Sequence, residues 1–153
     1  MTTRATVLVA WERGTTGSAL AGRVATESLG AHPGPLHHHC PACGSIEHGR
    51  PSYDADIAVS IAHHRGLVVV AVAAVDALGV DVEGDGTDAA WVQEEAVSKA
   101  RGTGLGDVPA DRRGLQVTRL AIPGHEAWLA VRAAAPPEIR TAASAAPVVP
   151  ARP

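Results

Sequence analysis

The 153-residue chain contains no phenylalanine or asparagine, one lysine, two cysteines and four aromatic residues in all. Two cysteines are too few for a disulfide scaffold and fit a reducing compartment. No stretch reaches the roughly 18 apolar residues of a membrane span. The stretch from Met1 to Trp11 also lacks the longer apolar segment of a signal peptide. We therefore expect a cytoplasmic protein with no membrane partner.

Charge of either sign is also modest. Thirteen basic and sixteen acidic side chains give a formal net charge of −3, with 46% hydrophobic and 19% charged residues. This balance argues against nucleic acid as a partner, because such partners select basic surfaces. The composition is that of an ordinary globular protein, and the length is sufficient for a real hydrophobic core.

Local patterns predict strands and helices along much of the chain. Thr6–Trp11 is predicted to be a strand, and Ser18–Leu29 a helix that ends at Gly30. Downstream, two hairpins and one helix are expected. They are a central hairpin of Leu67–Val75 and Leu78–Glu83, a helix from Ala89 to about Ala100 capped by Asp88, and a second hairpin of Leu115–Ala121 and Ala127–Arg132.

The chain divides by composition into three parts. Residues 1–56 form a small opening part, in which residues 30–56 are rich in proline, glycine and histidine and are expected to be a structured loop at best. Residues 57–132 hold both predicted hairpins and the second helix. Thirteen of the 21 residues from 133 to 153 are alanine or proline, so we expect a disordered tail there.

Three carboxylates and a lysine stand at spacings that suit a metal and a phosphate. On the predicted strand, Asp81 and Glu83 share one face, and on the following helix Glu95 and Lys99 are one turn apart. Hard carboxylate oxygens suit Mg²⁺, and Lys99, the only lysine, suits phosphate charge. On spacing alone, the helix pair is better explained as part of a solvated face.

Four motifs follow one another: His-Gly-Arg-Pro at 48–51, Ser-Ile-Ala-His at 60–63, Gly-Val-Asp-Val-Glu at 79–83, and Trp-Val-Gln-Glu-Glu-Ala-Val-Ser-Lys at 91–99. In this order they resemble the Sfp-type 4′-phosphopantetheinyl transferases over about residues 18–132. The resemblance implies an α+β fold in which antiparallel β-sheet packs with helices and two similar subdomains meet at the active site. Residues 1–56 would be a reduced N-terminal subdomain, and residues 57–132 the transferase core with the metal site.

The resemblance also implies an activity, a metal and a substrate. Such an enzyme transfers the phosphopantetheine arm of coenzyme A to a serine of an acyl or peptidyl carrier protein, requires Mg²⁺ and releases 3′,5′-ADP. Glu95 would help to deprotonate the serine, and Lys99 would stabilise the pyrophosphate that breaks. The positions that match the family are Asp81, Glu83 and Glu95 for the metal, Glu95 and Lys99 for catalysis, and Arg50, Ser60, His63 and Lys99 for coenzyme A.

Two features keep other interpretations open. The part before residue 57 is shorter than in larger family members, and only Gly84–Ala90 separate the third motif from the fourth. A non-catalytic member of the family, which binds coenzyme A or a carrier protein without transfer, is therefore the alternative. A homo-oligomer, in which two chains complete one another, is a further possibility.

Cys40 and Cys43 are the remaining candidates for chemistry. Cys-x-x-Cys is half of a common zinc ligand set, and histidines lie nearby. The alternative is that both are ordinary loop cysteines kept reduced in the cell. A thioredoxin-like redox role is disfavoured because no βαβ pattern surrounds the pair. The histidines in question are His37, His38, His39 and His48.

Overall fold

A computed structural model describes residues 3–103 and 110–143. Within these ranges the chain forms two helices, α1 (Gly17–Leu29) and α2 (Ala89–Arg101), and neither is long and apolar enough to cross a membrane. The same ranges contain nine strands, which confirms the predicted α+β class. The strands are β1 (Thr6–Arg13), β2 (His37–His39), β3 (Arg50–Ser52), β4 (Ala58–His64), β5 (Leu67–Ala73), β6 (Leu78–Gly84), β7 (Leu115–Arg119), β8 (His125–Arg132) and β9 (Glu138–Thr141).

Two sheets form the centre of the fold. The first has the order β4-β5-β1-β9 and the second the order β6-β8-β7, while β2 and β3 form a separate two-stranded ribbon. Neighbouring strands are antiparallel except for β9, which runs parallel to β1. In the second sheet Asp81 lies opposite Trp128, which fixes the position of the acidic strand against β8.

Burial of both faces of β5 determines how helices and sheets are stacked in layers. All seven of its residues are buried, and they alternate between two apolar cores. Val68, Val70 and Val72 pack with α1 through Leu20 and Val24. The intervening side chains pack against the second sheet, whose other face is covered by α2. The layers therefore run α1, first sheet, second sheet, α2.

Both predicted helices are confirmed to within one residue at their ends, since α1 begins at Gly17 and α2 ends at Arg101. The hydroxyl of Thr16 accepts a hydrogen bond from Ala19 N at 3.1 Å, and the carboxylate of Asp88 accepts one from Ala90 N at 3.0 Å. At the other ends, Gly30 and Gly102 take left-handed backbone angles, with φ of 70° and 71°. Such caps satisfy groups that the helix leaves unpaired.

The predicted central hairpin is wrong. Strand β5 pairs with β1 and β4, whereas β6 pairs with β8, so residues 74–77 carry the chain from one sheet to the other. The apolar run of β5 has partners on both sides because it is an interior strand of the first sheet. The second predicted hairpin is confirmed as β7 and β8. Residues 30–56 hold β2 and β3 and are thus more than a loop.

The disordered tail predicted from residue 133 is wrong for residues 133–143. Strand β9 adds to β1, and Ala142 N donates to Val9 O at 2.9 Å. Arg4 fastens the approach to this strand, since its Nε donates to Pro136 O at 2.8 Å. Residues 144–153 lie outside the described residues. The chain passes from the first sheet to the second between β5 and β6.

Candidate active site

Gly79 brings α2 into direct contact with the acidic strand β6. A Cβ atom at this position would lie 2.0 Å from Ala96 O and 2.5 Å from Ala100 N, distances that real Cβ contacts do not show. The backbone of the helix therefore rests on the backbone of the strand. This close approach places Glu95 and Lys99, the helix residues predicted for catalysis, beside Asp81.

Lys99 joins the helix to both sheets. Its Nζ donates to Val80 O at 3.0 Å, to Asp81 Oδ1 at 3.2 Å and to Ile61 O at 3.4 Å. Nearby, Val80 N donates to the hydroxyl of Ser60 at 3.0 Å. We refer to these linked positions, Ser60 and Ile61 on β4 with Val80 and Asp81 on β6, as the β4–β6 seam. The hydroxyl of Ser60 and the ammonium of Lys99 thus connect β4 with β6, two strands that belong to different sheets.

The carboxylate of Asp81 is buried and incompletely paired. Its side chain is 10% exposed, and Oδ2 has no hydrogen-bond partner among the described residues. Burial raises the pKa of Asp81, an effect that the ammonium of Lys99 opposes. Burial likewise raises the pKa of Glu95, and the negative charge of Asp81 adds to it. A cation would supply the partner that Oδ2 lacks, so Asp81 and Glu95 fit a divalent metal.

Glu83 has a different partner. Its Oε2 lies 3.2 Å from Nδ1 of His64, whose ring makes an edge-on contact with His125 at 5.7 Å between ring centres. The described part of the chain does not bring Asp81, Glu83 and Glu95 together as three ligands within 4.8 Å of one another. His64 is not among the site residues predicted from the sequence. The alternation of side chains along β4 places it on the same face as Ser60, which is the signal that could have found it.

A cavity of about 320 Å³ opens beside Lys99. Three residues predicted to hold coenzyme A line it, namely Arg50, Ser60 and Lys99. Arg50 is fixed at the C-terminal end of α2, where its Nη2 donates to Ala100 O at 3.4 Å. The volume lies within the range of small-molecule sites, at its lower end. Two cationic side chains at one cavity suit a ligand that carries phosphate groups.

The structure does not bring His63 to this cavity. Its side chain is exposed and lies against the start of α1, where a Cβ atom on Gly17 would be 3.2 Å from the His63 ring nitrogen Nε2. Ser60 and His63 are three positions apart on one strand, so they point to opposite faces. Of the residues predicted for coenzyme A, His63 is therefore the one that stands apart.

Comparisons with protein-family models and with curated proteins find none that matches this chain. The resemblance to the phosphopantetheinyl transferases therefore rests on the four motifs in the sequence. The structure adds that residues of three of these motifs, Arg50, Ser60 and Lys99, line one cavity, with Asp81 of the remaining motif bonded to Lys99.

Proposed function

We propose that the protein is a Mg²⁺-dependent 4′-phosphopantetheinyl transferase that acts on an acyl or peptidyl carrier protein. The observation that carries this proposal is the buried Oδ2 of Asp81, which has no partner among residues 3–103 and 110–143. The Oδ1 atom of the same carboxylate lies 3.2 Å from Nζ of Lys99, which lines a cavity. A cation site and an anion site are thereby side by side. Transfer of a phosphoryl-linked group needs both kinds of site.

Arg50 and Lys99 supply the positive charge that would bind the phosphates of coenzyme A, with the hydroxyl of Ser60 at the same cavity. Asp81, Glu83 and Glu95 would hold the metal. When bound, Mg²⁺ neutralises charge on phosphate oxygens. Glu83 must exchange its contact with His64 in order to join the other two carboxylates.

In this proposal Glu95 would accept the proton of the carrier serine. Its raised pKa makes the carboxylate a stronger base than an exposed glutamate. The serine oxygen forms a bond to the phosphorus that bears the pantetheine arm, and the bond from that phosphorus to the bridging oxygen breaks. The electron pair leaves with 3′,5′-ADP, whose new phosphate charge develops near the ammonium of Lys99.

A second candidate is a non-catalytic protein that binds coenzyme A or a carrier protein. The arrangement of Lys99 favours it, because all three donors of the ammonium already have acceptors within the chain. In that case Lys99 serves to hold the β4–β6 seam together. The two candidates agree on ligand binding at the cavity and differ on transfer.

The test is to incubate the protein with coenzyme A, Mg²⁺ and a panel of apo carrier proteins, and to record intact carrier masses. We expect one phosphopantetheine increment with the wild type and none with Asp81→Asn. Asp85→Asn is the matched control, since it removes the same charge from an exposed residue outside the site. Binding of coenzyme A is followed in parallel by calorimetry. Binding of coenzyme A without transfer to any carrier would establish the coenzyme A-binding form of the second candidate. Absence of both would refute the transferase and that form together.

A further inference from the structure

A second cluster of metal-ligating side chains lies in the loop between β2 and β3. The ligand atoms of Cys40, Cys43 and His48 all lie within 4.8 Å of one another, and Cys43 Sγ is 3.3 Å from His48 Nε2. Both cysteines are free thiols. Two thiolates and one imidazole are ligands that zinc prefers, whereas Mg²⁺ selects oxygen.

The backbone of the loop holds these side chains in place. Cys40 N donates to Ser45 O at 2.9 Å, and Gly44 N returns to Cys40 O at 2.8 Å, so the chain folds back on Cys40. Interaction with the backbone N–H groups of Cys43 and Ala42 also lowers the pKa of the Cys40 thiol. Such N–H donors orient a thiolate and offset its charge, as the outer shell of a metal site does.

Gly49 closes the loop tightly behind His48. Its φ is +100°, and a Cβ atom there would lie 2.4 Å from His39 O and 2.6 Å from Cys40 N. Any other residue would push the two ends of the loop apart and carry His48 away from Cys40. The absence of a side chain at Gly49 therefore keeps Cys40, Cys43 and His48 close together.

We propose that Cys40, Cys43 and His48 bind one zinc ion, with the fourth position of the tetrahedron open to water or to a small ligand. This site is separate from the carboxylates of Asp81 and Glu95, and it does not depend on the transferase proposal. Cys40 and the two residues after it also line the cavity beside Lys99. Zinc bound in the loop would therefore fix one wall of that cavity.

The experiment is to purify the full chain under reducing conditions, dialyse it against zinc and then against metal-free buffer, and measure zinc per chain by plasma mass spectrometry. We expect one zinc per chain in the wild type and none in Cys40→Ser or His48→Ala. His38→Ala is the matched control, because His38 lies on the same ribbon outside the ligand group, and it should keep the metal. Circular dichroism verifies that each variant is folded.

Cobalt gives a second readout that does not depend on the variants. Co²⁺ added to the metal-free wild type should produce the near-ultraviolet charge-transfer absorption of thiolate ligands and the visible bands of a tetrahedral ion. Zinc should remove this spectrum and protect both thiols from iodoacetamide. A wild type that takes up neither metal would overturn the proposal. So would equal loss of zinc from the His38 and His48 variants, or thiols that zinc leaves unprotected.

Discussion

Replacement of Gly79 by alanine tests the contact on which the candidate active site is built. The new Cβ atom would meet backbone atoms of α2, at 2.0 Å from Ala96 O and 2.5 Å from Ala100 N. Backbone atoms cannot turn aside as the end of a side chain does. The helix must therefore withdraw from β6 by about 1 Å to restore an allowed contact.

This displacement has a cost that can be estimated. Helix α2 buries an apolar face, which includes Val92, Ala96 and Val97, against the second sheet. Overpacking of a tight core costs about 1–3 kcal/mol and occasionally more. Because the clash is with backbone, we expect a loss of about 3 kcal/mol in the free energy of unfolding, out of the ~5–15 kcal/mol of a typical domain. The variant should fold, with Lys99 drawn away from Val80 O and Asp81.

Urea denaturation followed by circular dichroism measures this loss. Gly22→Ala is the matched control, since Gly22 lies within α1 and a Cβ atom there meets nothing within 4 Å. Alanine in a helix interior is favoured over glycine by about 0.8–1 kcal/mol, so the control should be stabilised. If Gly79→Ala were as stable as the wild type, α2 would not rest on β6 as described, and the placement of Lys99 would be refuted.

Three further outcomes are expected. Burial raises the pKa of Asp81 and Glu95, so above about pH 4 these two groups hold more protons in the folded protein than in the unfolded chain. The free energy of unfolding therefore falls as the pH rises from about 4 through the raised pKa values. In urea curves across pH, Asp81→Asn should make that fall shallower, and an unchanged slope would contradict the assignment. Lys99→Met removes the ion-pair partner of the Asp81 carboxylate and should lower the free energy of unfolding, measured by guanidinium denaturation, by about 1–3 kcal/mol. An unchanged denaturation midpoint would show that the ammonium of Lys99 does not hold the strands together. Backbone hydrogen bonds lower the pKa of Cys40 to about 7, so its iodoacetamide labelling in chelator-treated protein should level off above about pH 8; a rate still rising near the ordinary thiol value of about 8.5 would contradict this.

The helices and the second hairpin could be predicted because their signals are local. Asp88 caps α2, Gly102 ends it, and Pro123 with Gly124 turns the chain between β7 and β8. Each signal lies within a few residues of the element that it defines. The same locality placed Asp81 on the face of β6 opposite the buried valines.

Strand partners could not be predicted in the same way. The run Leu67–Ala73 is apolar at every position because it is buried on both faces, which removes the alternation that would show its neighbours. Strand β9 was missed for another reason. Alanine and proline around it suggested disorder, whereas its pairing with β1 spans more than 120 residues of chain and leaves no local trace. In both cases the strand pairing is determined by tertiary contacts and not by the local sequence.

At the candidate site, the sequence predicted which residues carry charge but not how they pair. Asp81 and Lys99, both predicted for the site, are hydrogen-bonded to each other, and Arg50 reaches the cavity next to them. Glu83 instead pairs with His64, since position 64 faces β6 from the neighbouring sheet. A contact between sheets has no counterpart in the periodicity of either strand, so only the folded chain shows it.

The parallel pairing of β9 with β1 has a consequence for the order in which the chain acquires its structure during synthesis. Thr6 pairs with Glu138 and Val9 with Thr141, so one edge of β1 has no strand beside it until residues 138–141 leave the ribosome. An unpaired edge is where another chain can add a strand. Val7 and Val9 are buried in the finished core, so the face of β1 that carries them is apolar. Nascent chains of this protein therefore pass through a long interval in which β1 is open to pairing with a neighbour or to capture by a chaperone.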